Sequence, residues 1–497
     1  MKLTITLMVS NSIDTIEKCM ESLKPILEQV ESELIVVDTG GTDGSIDIAR
    51  KYATEVVPFK WCNDFAAARN AGVFKASGEW LMYLDDDEWF EDVTEIIEFF
   101  QTGEYKNYEV ASYIVRNYSD FEGKKWVESR RNGLVHFSPK VFFYRPIHEV
   151  LHHTFEPEKI MKCYVHHYGY VYKTREEELK HSERNLSIIK EEIKKFPNDH
   201  HYIMQIAQEY RALDDFETMK NYCINGVKRL PVETDYQKHV VGWLAANVIH
   251  AEISMKDYSS AYAHAKKYVE FDWLNPLARA MIAYKGLLLA KERAETAKML
   301  ELFAIMHQSL MYYKEHPEAF YADDVLGLGE VNKPDILLGG YFFVIPVLIS
   351  EKRYKEAEKY VDYMIQFIED YLAEKRKDGM SETEISSFIQ KTPEINFGVK
   401  LRDVFRNEMS EIDRARELKE LAILVPDMAE YCKYLIQGAP KEEINPEFYE
   451  LAKQVKTMIY QFVENGDTGS AIQTLNQLEK LVPNDPELEE IRKLLDR

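Results

Sequence analysis

Glu33-Leu34-Ile35-Val36-Val37-Asp38, followed directly by Thr39-Gly40-Gly41-Thr42-Asp43-Gly44, is a continuous apolar run that ends in a carboxylate, opens into a glycine-rich loop and passes into a helix. In open α/β sheets ligands bind beyond the carboxyl ends of such strands, so Asp38 and Asp43 stand where a ligand would be. The same alternation extends on both sides. LTITLMV (3–9), a helix near Ile13 to Leu27, a helix from Gly44 to Lys51, EVVPF (55–59), a helix from Asp64 to Ala76 and WLMYLD (80–85) give strands separated by helices. That order predicts a mostly parallel sheet with right-handed connections.

Past Asp92 the pattern becomes a helix and then β-rich pieces, YEVASYIVR (108–116), HFSPKVFFYR (136–145) and KCYVHHYGY (162–170), with little helix between them. These predict an antiparallel addition to the sheet that ends near Tyr172. From Lys173 onward the chain reads as helical, beginning with the amphipathic run 176–196 and its stop signal Phe196-Pro197-Asn198-Asp199. Short turns followed by a helix recur at Asp215, Asp257, Arg353 and Asp467. The last copy, 462–495 with its closing Pro483-Asn484-Asp485-Pro486, has the length of a tetratricopeptide repeat. An irregular helical bundle is the other reading for residues 280–440. The expected division is residues 1–180, 181–380 and 381–497.

At 497 residues the chain exceeds one core, and 31 Tyr with 24 Phe supply ample material for several. A net charge of -23 argues against nonspecific binding to nucleic acid or anionic lipid. The opening MKLTITLMVSNS is too short for a secretory signal, and no stretch approaches the roughly 20 apolar residues of a membrane helix. The expected place is the cytoplasm, without membrane insertion. The five cysteines lie far apart with no CxxC spacing, which predicts buried thiols rather than disulfides or zinc.

The chemistry concentrates at Tyr83-Leu84-Asp85-Asp86-Asp87-Glu88, where an apolar strand runs into four carboxylates. Such massed charge repels itself unless a cation neutralises it, so Asp85 and Asp87, alternate residues at a strand end, are candidates for Mg²⁺ or Mn²⁺ and through it a diphosphate. A solvated acidic turn is the plain alternative. Upstream, in Trp61-Cys62-Asn63-Asp64-Phe65-Ala66-Ala67-Ala68-Arg69-Asn70, Asp64 can cap a helix, and Arg69 is either a diphosphate contact or the partner of a carboxylate. Arg145-Pro146-Ile147-His148-Glu149 and His166-His167-Tyr168-Gly169-Tyr170 add imidazoles and a carboxylate, which fits a metal ligand and a general base.

Taken in order, these residues resemble the family 2 glycosyltransferases with the GT-A fold, over about residues 3–190. IVVDTGGTDGS resembles that family's VDTGSTDGT segment, WCNDFAAARNAG its W-x-x-DF-x-x-ARN segment, YLDDDEWF its LD-x-DE metal motif, RPIHEVL its I-H-E motif and HHYGY its H-x-GY motif. The resemblance implies a GT-A α/β domain followed by an all-α region of tetratricopeptide-like repeats. It also implies that Asp38 contacts the nucleoside, Asp64 recognises uracil, and Arg69 holds the diphosphate or the acidic motif. Asp43 and Asp86 are counted with these donor-binding residues. Asp87, supported by Asp85, would bind Mn²⁺ or Mg²⁺ with His167 as a further ligand. Glu149 would be the base that deprotonates the acceptor, oriented by His148, in an inverting displacement. Ser10-Asn11-Ser12 stands where many members have Lys-Asn-Glu, Gly41 where Ser is usual, and Pro146 where Gly is common.

A GT-A domain fused to such helices is similar to bacterial peptide S-glycosyltransferases and flagellin O-glycosyltransferases. It implies transfer of a hexose or N-acetylhexosamine, with GlcNAc or Glc favoured, from a UDP-sugar to Ser, Thr or Cys of a protein or peptide. A glycan or lipid-linked acceptor, and an inactive repeat scaffold, are the rival readings. Helical repeats also supply homodimer interfaces.

Overall fold

The computed structural model describes the chain apart from residues 170, 318, 321–333, 378, 439–445, 466, 482–485 and 496–497. The first half of the sheet follows the predicted alternation: β1 (Leu3–Val9), α1 (Ile16–Gln29), β2 (Ser32–Asp38), α2 (Ser45–Ala49), β3 (Glu55–Pro58), α3 (Phe65–Val73) and β4 (Trp80–Asp85). β1 lies between β2 and β4 and is parallel to both, with Val9 opposite Asp38 and Met8 opposite Asp85. The two acidic strand ends are therefore brought to one edge of the sheet.

Period-two alternation explains why β1 can sit centrally. Leu3, Ile5, Leu7 and Val9 join one core with Ile16, Met20 and Leu23 of α1. Thr4 on the opposite face gives its hydroxyl to Glu33 and accepts from the Gly78 amide. α3 covers that opposite face with small residues. A Cβ at Gly72 would come within 3.0 Å of Val37, so the Ala-Ala-Ala-Arg-Asn-Ala-Gly run is what lets this helix lie close to the sheet.

The second half is β5 (Glu88–Phe90), α4 (Thr94–Gln101), β6 (Val110–Tyr118), β7 (Trp126–His136), β8 (Phe142–Tyr144), β9 (Val150–His152) and β10 (Glu158–His167). The eight-stranded sheet has the order β3-β2-β1-β4-β7-β6-β10-β5, and β8 pairs with β9 apart from it. The antiparallel addition expected from sequence is mixed: β7 runs antiparallel to β4 and β6, yet β10 is parallel to β6. A parallel pair needs a long connection, and residues 119–157 provide it. β7 also occupies ground that matched no motif, because its first five residues are exposed and carry no apolar alternation.

The rest is helical: α5 (Arg175–Lys195), α6 (His200–Ala212), α7 (Phe216–Arg229), α8 (Asp235–Ser254), α9 (Tyr258–Tyr268), α10 (Pro276–Glu292), α11 (Thr296–Glu315) and further helices from Pro334–Ser350 onward. Thr174, Asp199, Asp215, Thr234 and Asp257 each cap a helix by accepting from a backbone N–H, worth about 1 kcal/mol apiece. The anticipated turns share one geometry. The amides of Asp215, Asp257, Arg353 and Asp467 bond the carbonyls of Tyr210, Glu252, Leu348 and Phe462, five residues back. Glu295 bonds Ala290 and Met380 bonds Lys375 in the same way, two further copies hidden by their dissimilar sequences. Asp214, Lys256, Ala294 and Lys352 precede four of these closures at φ between 54° and 62°. The closing Pro483-Asn484-Asp485 lies outside the described residues.

By contacts the chain forms two compact units, Met1–Leu289 with Ile305–Gly329, and Ala290–Ala304 with Glu330–Arg497. The sheet, its site and α5 to α9 all lie in the first. Among the described residues no helix is long and apolar enough to cross a membrane.

Candidate active site

The loop after β2 is tied to the loop after β1. Thr39 donates through both its amide and its hydroxyl to the Val9 carbonyl, at 3.1 and 2.8 Å, and the Thr42 amide reaches Asn11 Oδ1 at 2.8 Å. Gly41 passes so close that a Cβ there would lie 2.3 Å from the Ser10 carbonyl oxygen. Asp43 accepts from the Ile13 amide on Oδ2 and from the Ser45 amide and hydroxyl on Oδ1. Burial opposes its charge, but these bonds outweigh burial and hold its carboxyl below the ordinary value. Both oxygens of Asp43 thus hold the chain and tie the two loops together. Asp38 accepts the Gly40 amide at 3.0 Å on Oδ1 and stays half-buried at the edge of the cleft.

At the end of β4 the four carboxylates meet four different fates. Asp85 Oδ1 takes Arg69 Nη2 at 2.5 Å. Burial pushes the Asp85 carboxyl up, yet Arg69 and Arg131 overcome this and hold it down at about 2. Asp86 accepts the Ser10 amide at 2.9 Å, but burial, with Asp85 adding to it, leaves it pushed up to about 6. Glu88, fully buried, takes Arg131 Nη1 at 2.5 Å and the Asp85 amide at 3.2 Å on one oxygen. Asp87 has no such partner. Its Oδ1 is buried without a hydrogen bond, and burial together with Asp85, Asp86 and Glu88 pushes its carboxyl well above the usual range.

Strand pairing sets an imidazole against that orphaned oxygen. His167 lies opposite Glu88 of β5 on one side and Asn117 of β6 on the other. His167 Nδ1 meets Asn117 Oδ1 at 2.7 Å, which assigns the proton to Nδ1 and puts Nε2 3.8 Å from Asp87 Oδ1. This is the tautomer and second-partner arrangement of a metal-binding histidine. Gly169 borders the same space: a Cβ there would come 2.5 Å from His167 Nε2 and 2.6 Å from Asp87 Oδ2. A buried carboxylate oxygen without a hydrogen bond, an imidazole beside it and a bordering glycine fit a divalent cation. Among the described residues no cluster of three or more His, Cys, Asp or Glu is ready-made for a metal. Asp85, expected to support the metal, gives its Oδ1 to Arg69.

Arg69, nine-tenths buried on α3, is the hinge of the site. Its Nη2 holds Asp85 and its Nε holds Glu149 Oε1, both at 2.5 Å, while its guanidinium lies 5.6 Å from the Tyr83 ring centre and 5.3 Å from that of Phe143. Its pairing with the acidic motif is one of the two roles open from sequence. Glu149 ends the connection 145–149 between β8 and β9. The Pro146 carbonyl accepts the Phe65 amide at 2.8 Å, joining this connection to the start of α3, where Asp64 caps the helix by accepting from Ala67 at 2.8 Å. His148 was expected to orient Glu149. Its Nε2 is instead buried without a hydrogen bond, 3.9 Å from Glu209 Oε1, and burial lowers its affinity for a proton. The side chain that holds Glu149 is Arg69. Arg131 and Asn117 escaped the sequence reading because β7 and the end of β6 carry no motif. Tyr170 lies outside the described residues.

Residues 4–164 match the family described as Glycosyl transferase family 2. A glycosyltransferase, SunS, of the Bacillus subtilis SPbeta prophage is 26% identical over 253 residues, 48% of this chain and 56% of that protein. A TPR repeat-containing protein of Synechococcus elongatus is 29% identical over 152 residues, 30% of this chain and 35% of its own. The solved S. aureus TarS 1-349 in complex with UDP-GlcNAc aligns with 64% of this chain and 92% of its own at 13% identity, with a TM-score of 0.29. The chain spans about half the length of the curated relatives it matches.

Proposed function

We propose, on the premise that residues 4–164 form a family 2 glycosyl transferase domain, that this chain transfers a hexose or N-acetylhexosamine from a UDP-sugar to a Ser, Thr or Cys side chain of a protein or peptide, with inversion. The observation that carries the donor half is Asp87 Oδ1, buried without a hydrogen bond beside the His167 imidazole, where a Cβ on Gly169 would crowd both side chains. Keeping such a charge unpaired costs stability, and functional sites are where such costs persist.

Asp87 and His167 are the residues that would hold Mn²⁺ or Mg²⁺, which when bound neutralises the charge of a departing diphosphate. Arg69 keeps Asp85 ionised and pins Glu149 by one oxygen. Glu149 thereby offers its other oxygen, Oε2, to the acceptor O–H or S–H, and takes that proton as the new bond to the sugar forms. Asp38 ends β2 and Asp64 caps α3, and the nucleoside would lie beyond that strand end. The polypeptide acceptor is supported by the helical repeats, which suit extended chains.

Calorimetric titration of UDP and GDP, with and without Mn²⁺, tests the donor half on the parent and on Asp87→Ala. Metal-dependent UDP binding that disappears in Asp87→Ala is the expected result; undiminished binding in the variant would remove Asp87 from the donor site. A glycan that accepts sugar with no polypeptide present would move the acceptor assignment to carbohydrate.

A further inference from the structure

The connection that carries Glu149 is gripped from outside the sheet. Arg145 and His148 both stand at positive φ, 76° and 48°, a conformation that residues with side chains rarely adopt and that survives only where surroundings impose it. The imposing element is the start of α6. Arg145 Nη1 meets Asp199 Oδ1 at 3.0 Å and Nη2 meets Oδ2 at 3.0 Å, a two-pronged pairing that fixes direction as well as distance. The same guanidinium lies 4.8 Å from the Tyr202 ring centre, and Ile147 is buried with Leu186, Ile189 and Ile206 of α5 and α6. His148 also faces α6, but its 3.9 Å approach to Glu209 is too long for a hydrogen bond.

We propose that Asp199 is a positioning residue for sugar transfer: by gripping Arg145 it holds the 145–149 connection in the strained shape that sets Glu149 beside Arg69. The proposal rests on the transferase reading above and extends it, because it places part of the helical region inside the machinery that presents the base. A 1 Å error in such a group is enough to slow a reaction by roughly a hundredfold.

Asp199 also caps α6 by accepting from the Tyr202 amide, so a plain deletion would confuse helix loss with loop loss. Asn caps as well as Asp does, which makes Asp199→Asn the informative change. Asp199→Asn and Arg145→Gln are each expected to lower kcat roughly ten- to a hundredfold with donor KM unchanged, and to speed hydrogen exchange at the amides of 147–149. The double variant should be no worse than the poorer single, since both remove one ion pair. Unchanged kcat and exchange in Asp199→Asn, or single losses that multiply in the double, would overturn the proposal. Should the parent transfer no sugar at all, the functional reading fails, while exchange at 147–149 still decides whether Asp199 holds the loop.

Discussion

Two acidic strand ends flank β1 in this sheet and have been finished in opposite ways. After β2, Asp43 has three hydrogen bonds on its two oxygens and a carboxyl held low. After β4, Asp87 has an oxygen buried without a hydrogen bond and a carboxyl driven high by burial and by its neighbours. The first is a joint between two loops; the second is a charge awaiting a partner. Similar sequence chemistry thus divides into scaffold and site according to whether the chain satisfies it.

The sharpest break of that comparison is Gly41→Ala. Its methyl group would have to displace the Ser10 carbonyl, and we expect a loss of roughly 3 kcal/mol, read from the urea midpoint of the sheet-containing unit. A variant as stable as the parent would mean the two loops are not joined as described. Next come two changes of opposite sign. Asp43→Ala should cost about 1 kcal/mol or more through its lost bonds, whereas Asp87→Asn should raise stability by about 1 kcal/mol in metal-free buffer by removing a repelled charge. Losses in both would erase the distinction between joint and site.

The last effect is a pH dependence. Folding moves Asp86 from the ordinary 3.8 to about 6, chiefly by burial, so the folded chain binds that proton more tightly than the unfolded one. Its contribution to stability is present in acid and is lost as pH rises from about 4 through about 6. Asp86→Asn keeps an acceptor for the Ser10 amide, so its advantage in Tm over the parent should widen across that window. An advantage that is constant with pH would show that Asp86 is not the group responsible.

The alternation of strands and helices through β4 was legible because fully buried strands are continuous apolar runs and their helices are amphipathic or small-faced. The acidic motif, Arg69, Glu149 and His167 were legible as residue types at strand ends. Their pairings were not: that Arg69 joins Asp85 to Glu149 depends on α3 lying flat on the sheet, and sequence does not set side-chain direction across 80 residues. β7 was missed since half of it faces solvent, and the parallel pairing of β6 with β10 because both orientations read alike in a single strand. The grip of Asp199 on Arg145 was hidden for a further reason, as a capping Asp is explained locally and invites no search for a distant partner.

The six inter-helix closures among the described residues have a consequence of a different kind. The same i to i−5 bond recurs after Tyr210, Glu252, Ala290, Leu348, Lys375 and Phe462, with Asp, Lys, Ala, Lys and Gly in the positive-φ seat at the first five. A joint that accepts such unlike residues makes few demands on its neighbours. A helix pair can therefore be copied in or dropped out between two such joints without inventing a new turn, and the length of this region is free to drift by whole pairs while the sheet and its site stay fixed.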